Sequence, residues 1–248
     1  GARLDMAGLA ASLFLRGVAW QAWPTTLLAQ ADAGLGGKTA VDLEAGKNLA
    51  GAFHAPVRLV ACRAFLATLP ERQVRAGRWE MVKVALLEGD LAWASALLDQ
   101  DLPEAADLAR CLRFKGAIVH RDPREQGERR LLNLGHTLGH ALEAASGYGL
   151  LHGEAVGLGL LAACELARVQ GLEPFPQAFL ERVAGELHTL ASRIPAWDAC
   201  LPWLLRDKKA DSMAIHCILP LPRSLAKQRV LPAEAWAGAH ARMLALLT

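Results

Sequence analysis

Three histidines in one short stretch constrain this chain more than any other feature. His136 and His140 stand four residues apart, and His152 follows the break Gly147-Tyr148-Gly149. A helix over residues 131–145 places His136 and His140 on one face, because residues four apart are neighbours on a helical surface. A second helix opening at His152 turns that ring into the gap between the two helices. A neutral imidazole offers a nitrogen lone pair to zinc or a similar divalent ion without a proton cost. The block follows Arg129-Arg130, positive charge of the kind that an anionic substrate needs. Together these residues predict a metal site beside an anion site. Taken singly, each histidine reads equally well as a helix-face residue with satisfied hydrogen bonds.

Composition sets the frame for that helical pair. With 248 residues, 53% of them hydrophobic, the chain can bury a substantial core, enough for one domain and part of another. Alanine and leucine are abundant and aromatics are only 6%, which favours helices packed on helices over a β-sandwich. A net charge of +2 argues against a nucleic-acid surface. The five cysteines, Cys62, Cys111, Cys164, Cys200 and Cys217, are odd in number and form no CxxC pair. They read as buried apolar fillers of a reducing compartment, which places the expected location in the cytoplasm. No apolar run approaches membrane-spanning length. Residues 6–15 faintly mimic a secretion signal, but Asp5 and the missing cleavage pattern favour a helix packed on a sheet. The chain starts at Gly1 without an initiator Met, so a truncated or processed product is expected.

Strand signals are confined to Val18-Ala19-Trp20-Gln21-Ala22-Trp23 and Val57-Arg58-Leu59-Val60-Ala61-Cys62. Between them, Gly34-Leu35-Gly36-Gly37-Lys38-Thr39 reads as a loop whose amides and lysine could approach phosphate, although it lacks the P-loop spacer. From Thr68 the pattern turns helical: Thr68 as N-cap before Pro70 and Glu71 opens a helix to about residue 87. Asp101, Pro103 and Glu104 repeat the signature before a helix to about residue 119. Residues 122–127 form a charged turn. Helices over 131–145 and 152–170 follow, the second closed by Gly171, and residues 174–190 continue the bundle. The expected class is α+β, mainly α: a partial Rossmann-like α/β portion over residues 1–66, then an all-helical metal- and substrate-binding domain over residues 67–248.

Glu80 and Lys83, three apart on the helix after Thr68, put a carboxylate and an ammonium on one face. A carboxylate with two imidazoles makes three protein ligands and leaves positions for substrate oxygens, as catalytic metal sites do. Without the histidines, the pair reads equally as a solvated ion pair. Spacing alone proposes His136 and His140 as the two imidazoles. Lys38, Lys83, Lys115, Arg129, Lys208 and Lys209 could clamp a doubly anionic substrate.

Ordered blocks running from the start of the chain to about Pro220 resemble the dehydroquinate synthase family. They include Leu15-Arg16-Gly17-Val18, Pro24-Thr25-Thr26-Leu27-Leu28-Ala29-Gln30, Gly36-Gly37-Lys38-Thr39, Gly46-Lys47-Asn48, Thr68-Leu69-Pro70, Asp122-Pro123-Arg124-Glu125, the Leu132 to His140 block, His152-Gly153-Glu154 and Asp207-Lys208-Lys209. Asn133 before Leu134-Gly135-His136 is similar to dehydroquinate synthases proper. The resemblance implies that Glu80, His136 and His152 bind a divalent metal, zinc or cobalt, and that His140 contacts substrate instead. It implies Lys115 and Arg129 at a substrate carboxylate, and Lys38, Asn48, Asn133 and Lys208 at a phosphate, with Arg16 reaching across a homodimer. Asp32 and Lys83 would face hydroxyls. Asp5, Thr25, Thr26, Lys47 and Thr68 match positions that help to hold NAD. The implied reaction converts 3-deoxy-D-arabino-heptulosonate 7-phosphate to 3-dehydroquinate and phosphate.

Departures from the family pattern carry expectations of their own. No GxGxxG loop occurs, so the chain alone is expected to bind NAD weakly or not at all. Arg78-Trp79 stand where smaller residues usually precede the Glu80 ligand, and Val84, Gln73, Cys62 and Ala64 also differ from the family's usual residues. A shift of about an ångström caused by Trp79 would cost about a hundredfold in rate. Another sugar-phosphate cyclase or polyol dehydrogenase of the superfamily, and a non-catalytic remnant, are the alternatives.

Overall fold

The computed structural model describes residues 1–43, 46–206, 214–221 and 224–248. Of Gly46, Lys47, Arg206, Ala214 and residues 224–228 it describes the backbone alone. Lys208, Lys209 and the side chain of Lys47 therefore lie outside the described residues. Contacts divide the chain into two units: Gly1–Met81 with Asp101–Arg129, and Val82–Gln100 with Arg130–Thr248. The boundary expected near residue 66 falls inside the first unit, in a turn of 3-10 helix at Arg63–Leu66.

The first unit begins with helix α1 (Ala2–Leu13), which packs on strand β2 (Lys38–Leu43) as residues 6–15 implied. β2 pairs antiparallel with β3 (Gly46–Phe53). This hairpin was not legible in the sequence: its glycines and its Asp42 and Asn48 weaken the strand pattern, and pairing under α1 overrides propensity. The two expected strands do form, as the short parallel pair β1 (Gln21–Ala22) and β4 (Arg58–Leu59). Gln30 ties the loops that follow them, its Nε2 donating to Pro24 O at 3.0 Å and Cys62 O at 2.8 Å.

Helix α2 (Glu71–Glu88) starts where Pro70 O accepts from Val74 N, so Pro70 rather than Thr68 occupies the cap. Asp90 caps α3 (Leu91–Asp99), a helix the sequence reading lacked, its Oδ1 accepting from Trp93 N at 2.9 Å. α4 (Ala105–Arg121) opens on Glu104, whose N–H donates to Asp107, and packs on the segment Ala29–Ala33 of the first unit.

The second unit is built round α5 (His136–Ala145) and α6 (His152–Val169). The sequence pattern places residues 131–135 in this helix, but they are not part of α5. A 3-10 segment, Glu128–Asn133, ends before Gly135 at φ +80°, so the α-helix starts at His136 itself. α6 is buried on every side from Gly153 to Ala167, as an all-round apolar helix must be. α7 (Gln177–Leu187) and α9 (Ala233–Leu247) cover α6, and α8 (Trp197–Arg206) covers α5. Gly171 at φ +72° closes α6 as expected. The region is not all-helical: β5 (Ala214–Leu221) and β6 (Ser224–Pro232) form an antiparallel hairpin, with β5 against α6. Ile215 and the run from Cys217 to Pro220 are buried, an apolar stretch too short to separate from a buried helical turn in the sequence.

All five cysteines are free thiols; four are buried as expected of fillers, whereas Cys62 is only half-buried, and burial raises the pKa of Cys164 and Cys200. No helix among the described residues is long and apolar enough to cross a membrane.

Candidate metal centre

His136 and His152 are the first residues of α5 and α6, and His140 lies one turn along α5. Their rings meet, with centroids 5.2 Å apart for His136–His140, 5.2 Å for His136–His152 and 5.7 Å for His140–His152. One ring nitrogen from each lies within 4.8 Å of the others. Zinc–nitrogen bonds of about 2.0–2.1 Å need tetrahedral ligands about 3.3 Å apart, so ring movements of about an ångström suffice. The donor set fits a divalent cation.

The outer face of the cluster fixes which nitrogen is available. His136 Nδ1 lies 3.2 Å from Leu134 O, and a carbonyl only accepts, so the proton is on Nδ1 and the lone pair on Nε2. His152 Nδ1 lies 3.2 Å from Glu143 Oε2 and by the same reasoning presents Nε2. Glu154 anchors the start of α6, its Oε2 accepting from Leu151 N at 2.8 Å.

Close backbone contact brings the two helices together. A Cβ on Gly159 would lie 1.9 Å from Gly135 O, and one on Gly139 would lie 3.0 Å from Ala155 O. Only glycine permits that approach at residue 159.

The first unit gathers charged groups beside the Gly34–Lys38 stretch. Lys115 Nζ, buried on α4, lies 3.0 Å from Asp32 Oδ1 and 2.7 Å from Asp32 O. The buried Arg129 guanidinium donates to Gly36 O at 2.9 Å and Pro123 O at 2.6 Å. Burial lowers its pKa from the ordinary arginine value. Gly36, at φ +121°, leaves room for it: a Cβ there would sit 2.5 Å from Arg129 Nη2. Lys38 pairs with Glu125. Asp122 organises the charged turn by accepting from the N–H groups of Gln126, Gly127 and Arg129.

Those bonds, Gln126 first, hold the Asp122 carboxyl below its ordinary pKa. A depressed folded pKa contributes stability that is present above about pH 4 and lost as pH falls through the folded value. We therefore expect Asp122→Asn to lose less stability than the wild-type chain between pH 5 and pH 2. Urea midpoints at the two pH values measure it; equal losses would contradict the assignment.

The other expected residues are placed as follows. Glu80 and Lys83 are each only 1% exposed, which excludes a solvated pair. Glu80 belongs to the first unit, and Lys83 and the histidines to the second. Asn133 ends the 3-10 segment, half-buried. Asn48, at φ +57°, is exposed and donates its N–H to Asp42 Oδ1 at 3.0 Å. Arg16 is exposed at φ +67°. Thr25 and Thr68 are exposed, while Thr26 Oγ1 accepts from Ala29 N at 3.3 Å. Asp5, in the first turn of α1, has its pKa raised by burial. Glu143 was missed in the sequence, and Glu125 reads there only as part of the charged turn. Glu143 had a signal, lying three residues after His140 and seven after His136 on the same face.

Comparison with known proteins identifies the family. Residues 1–76 match the family description 3-dehydroquinate synthase N-terminal, and residues 77–210 match 3-dehydroquinate synthase C-terminal. The 3-dehydroquinate synthase of Symbiobacterium thermophilum is 41% identical over 235 residues, 88% of this chain and 64% of that protein. That of Xanthomonas axonopodis pv. citri is 41% identical over 244 residues, 92% of this chain and 65% of that protein. The chain thus spans a little under two thirds of the length of these relatives. Among solved structures, 2-epi-5-epi-valiolone synthase from Streptomyces hygroscopicus, with NAD+ and Zn2+ bound, aligns with a TM-score of 0.80 at 28% identity, over 96% of this chain and 70% of its own. A 2-deoxy-scyllo-inosose synthase complexed with carbaglucose-6-phosphate, NAD+ and Co2+ aligns with a TM-score of 0.77 at 26% identity, over 95% and 70%. With both family regions matched in order along the chain, this protein belongs to the 3-dehydroquinate synthase family.

Proposed function

We propose that the chain serves the conversion of 3-deoxy-D-arabino-heptulosonate 7-phosphate to 3-dehydroquinate and phosphate, the step that feeds the shikimate pathway of aromatic amino acid biosynthesis. The observation that carries this reading is the convergence of His136, His140 and His152 downstream of Asn133. We assign His136 and His152, with Glu80 as the carboxylate, to a zinc or cobalt ion, and His140 to the substrate. When bound, the ion supplies a Lewis acid for a substrate oxygen, and NAD supplies a reversible hydride acceptor. NAD contacts are assigned to Thr25, Thr26 and Thr68, in the loops that leave the carboxyl ends of the parallel pair β1–β4, with Asp5 and Lys47.

The chain's own groups do the binding and the orienting in this reading. Arg129 has five donors, two of them on Gly36 O and Pro123 O, so its plane is set before a substrate carboxylate meets it. Lys115 shares that role, its Nζ paired with Asp32, and Asp32 and Lys83 face substrate hydroxyls. Lys38, Asn48, Asn133 and Lys208 hold the phosphate, with Arg16 supplied by a second copy in a homodimer. Positioning a dianion among preset cations supplies much of the rate. A cytoplasmic location belongs to the same reading.

The likeness to the valiolone and inosose synthases favours one second reading, cyclisation of another sugar phosphate. The test is phosphate release by the purified chain with the heptulosonate phosphate, zinc or cobalt, and NAD in large excess, to offset the weak binding expected without a GxGxxG loop. Phosphate and 3-dehydroquinate in equal amounts, abolished by chelator and restored by metal, is expected. Release from a different sugar phosphate alone would select the second reading, and no turnover with any would contradict both.

A further inference from the structure

Glu143 lies on the same stripe of α5 as His136 and His140, while Leu138, Ala141 and Leu142 of that helix are buried. Its side chain is 13% exposed, with Oε2 3.2 Å from His152 Nδ1. Its main chain is fixed as well. The Glu143 carbonyl accepts from Ser146 Oγ at 2.8 Å and from Tyr148 N at 3.0 Å, inside the turn that leads to α6. That turn carries Gly147 at φ +60° and Tyr148 at φ +63°, so its path is specific. One residue thus sets the turn that delivers His152 and also grips the ring it delivers.

We propose that Glu143 is a positioning residue for the metal centre: its carboxylate accepts the His152 Nδ1 proton, fixes the ring plane and directs the Nε2 lone pair to the ion. A carboxylate behind a ligating imidazole fixes its tautomer and raises its basicity, and losing such a partner typically costs about 10–100-fold in metal affinity. This rests on His136 and His152 being ligands, as proposed above. A residue that only stapled the turn would affect folding and leave the bound ion's properties alone.

The test uses Glu143→Ala and Glu143→Gln, each in the wild-type chain and with His152→Ala. Co2+ affinity is measured by competition with a chelating dye, the d–d absorption of bound Co2+ is recorded, and so is melting of the metal-free protein. Glu143→Ala is expected to weaken Co2+ about 10–100-fold with a changed spectrum and metal-free melting close to wild type. Glu143→Gln keeps a neutral acceptor and falls between the two. On the His152→Ala background, Glu143→Ala adds nothing. Wild-type affinity and spectrum in both Glu143 variants, with metal lost in His152→Ala, would overturn the role of Glu143 alone. Undiminished Co2+ binding by His152→Ala would overturn the metal centre beneath it.

Discussion

His152→Ala loses divalent metal, with an expected fall in zinc affinity of about a thousandfold, or roughly 4 kcal/mol of binding free energy. His152 starts α6 and its ring meets both other imidazoles, so its removal breaks two of the three ring contacts at once. Its Nδ1 is held by Glu143, so Nε2 is preset for the ion. His136→Ala is expected to act alike, because Leu134 O presets that ring too. Titration with a competing chelator measures the loss, and melting with and without zinc gives a second readout. A ligand that binds only the folded chain raises its melting temperature, and in these variants the rise should vanish. Wild-type zinc protection in both variants would contradict the assignment.

Gly159→Ala is expected to be the most damaging methyl group that can be added to the helical unit, costing about 3 kcal/mol. The new Cβ would lie 1.9 Å from Gly135 O, 2.9 Å from Gly135 C and 3.1 Å from Gly139 N. All three are backbone atoms, so no side chain can rotate away and α5 itself must move. Because α5 carries His136 and His140, zinc affinity falls together with stability. Gly185→Ala in α7 is the control: nothing lies within 4 Å of its added Cβ. It is expected to stabilise the chain by about 0.5–1 kcal/mol through helix propensity. Denaturant midpoints compare the two, and a Gly159→Ala chain as stable as Gly185→Ala would contradict the close helix contact.

Much of the scaffold was legible because its signals are local. Pro70–Glu71 and Glu104 mark two helix starts, Gly171 marks one end, and the spacing of His136 and His140 places both on one helix face. The hairpins were not, because they depend on partners: β2–β3 forms under α1, and β5 lies on α6, whereas each segment alone carries a weak alternation. The start of α5 was misplaced for a related reason. The apolar pattern of residues 131–135 suits a helix, but Gly135 adopts a left-handed conformation so that its carbonyl can meet Gly159, a tertiary demand invisible in the local sequence. Glu143 carries a helical spacing signal, yet its partner His152 comes from the next helix. The pairing of Lys115 with Asp32 spans 83 residues and has no local trace at all.

X-ray absorption at the zinc edge of the metal-loaded chain reads the atoms bound to the ion. At least two imidazoles bound to zinc at about 2.0–2.1 Å are expected, with the imidazole scattering reduced in His136→Ala and in His152→Ala. A zinc shell of oxygen or sulfur without imidazole, unchanged by either substitution, would contradict that coordination.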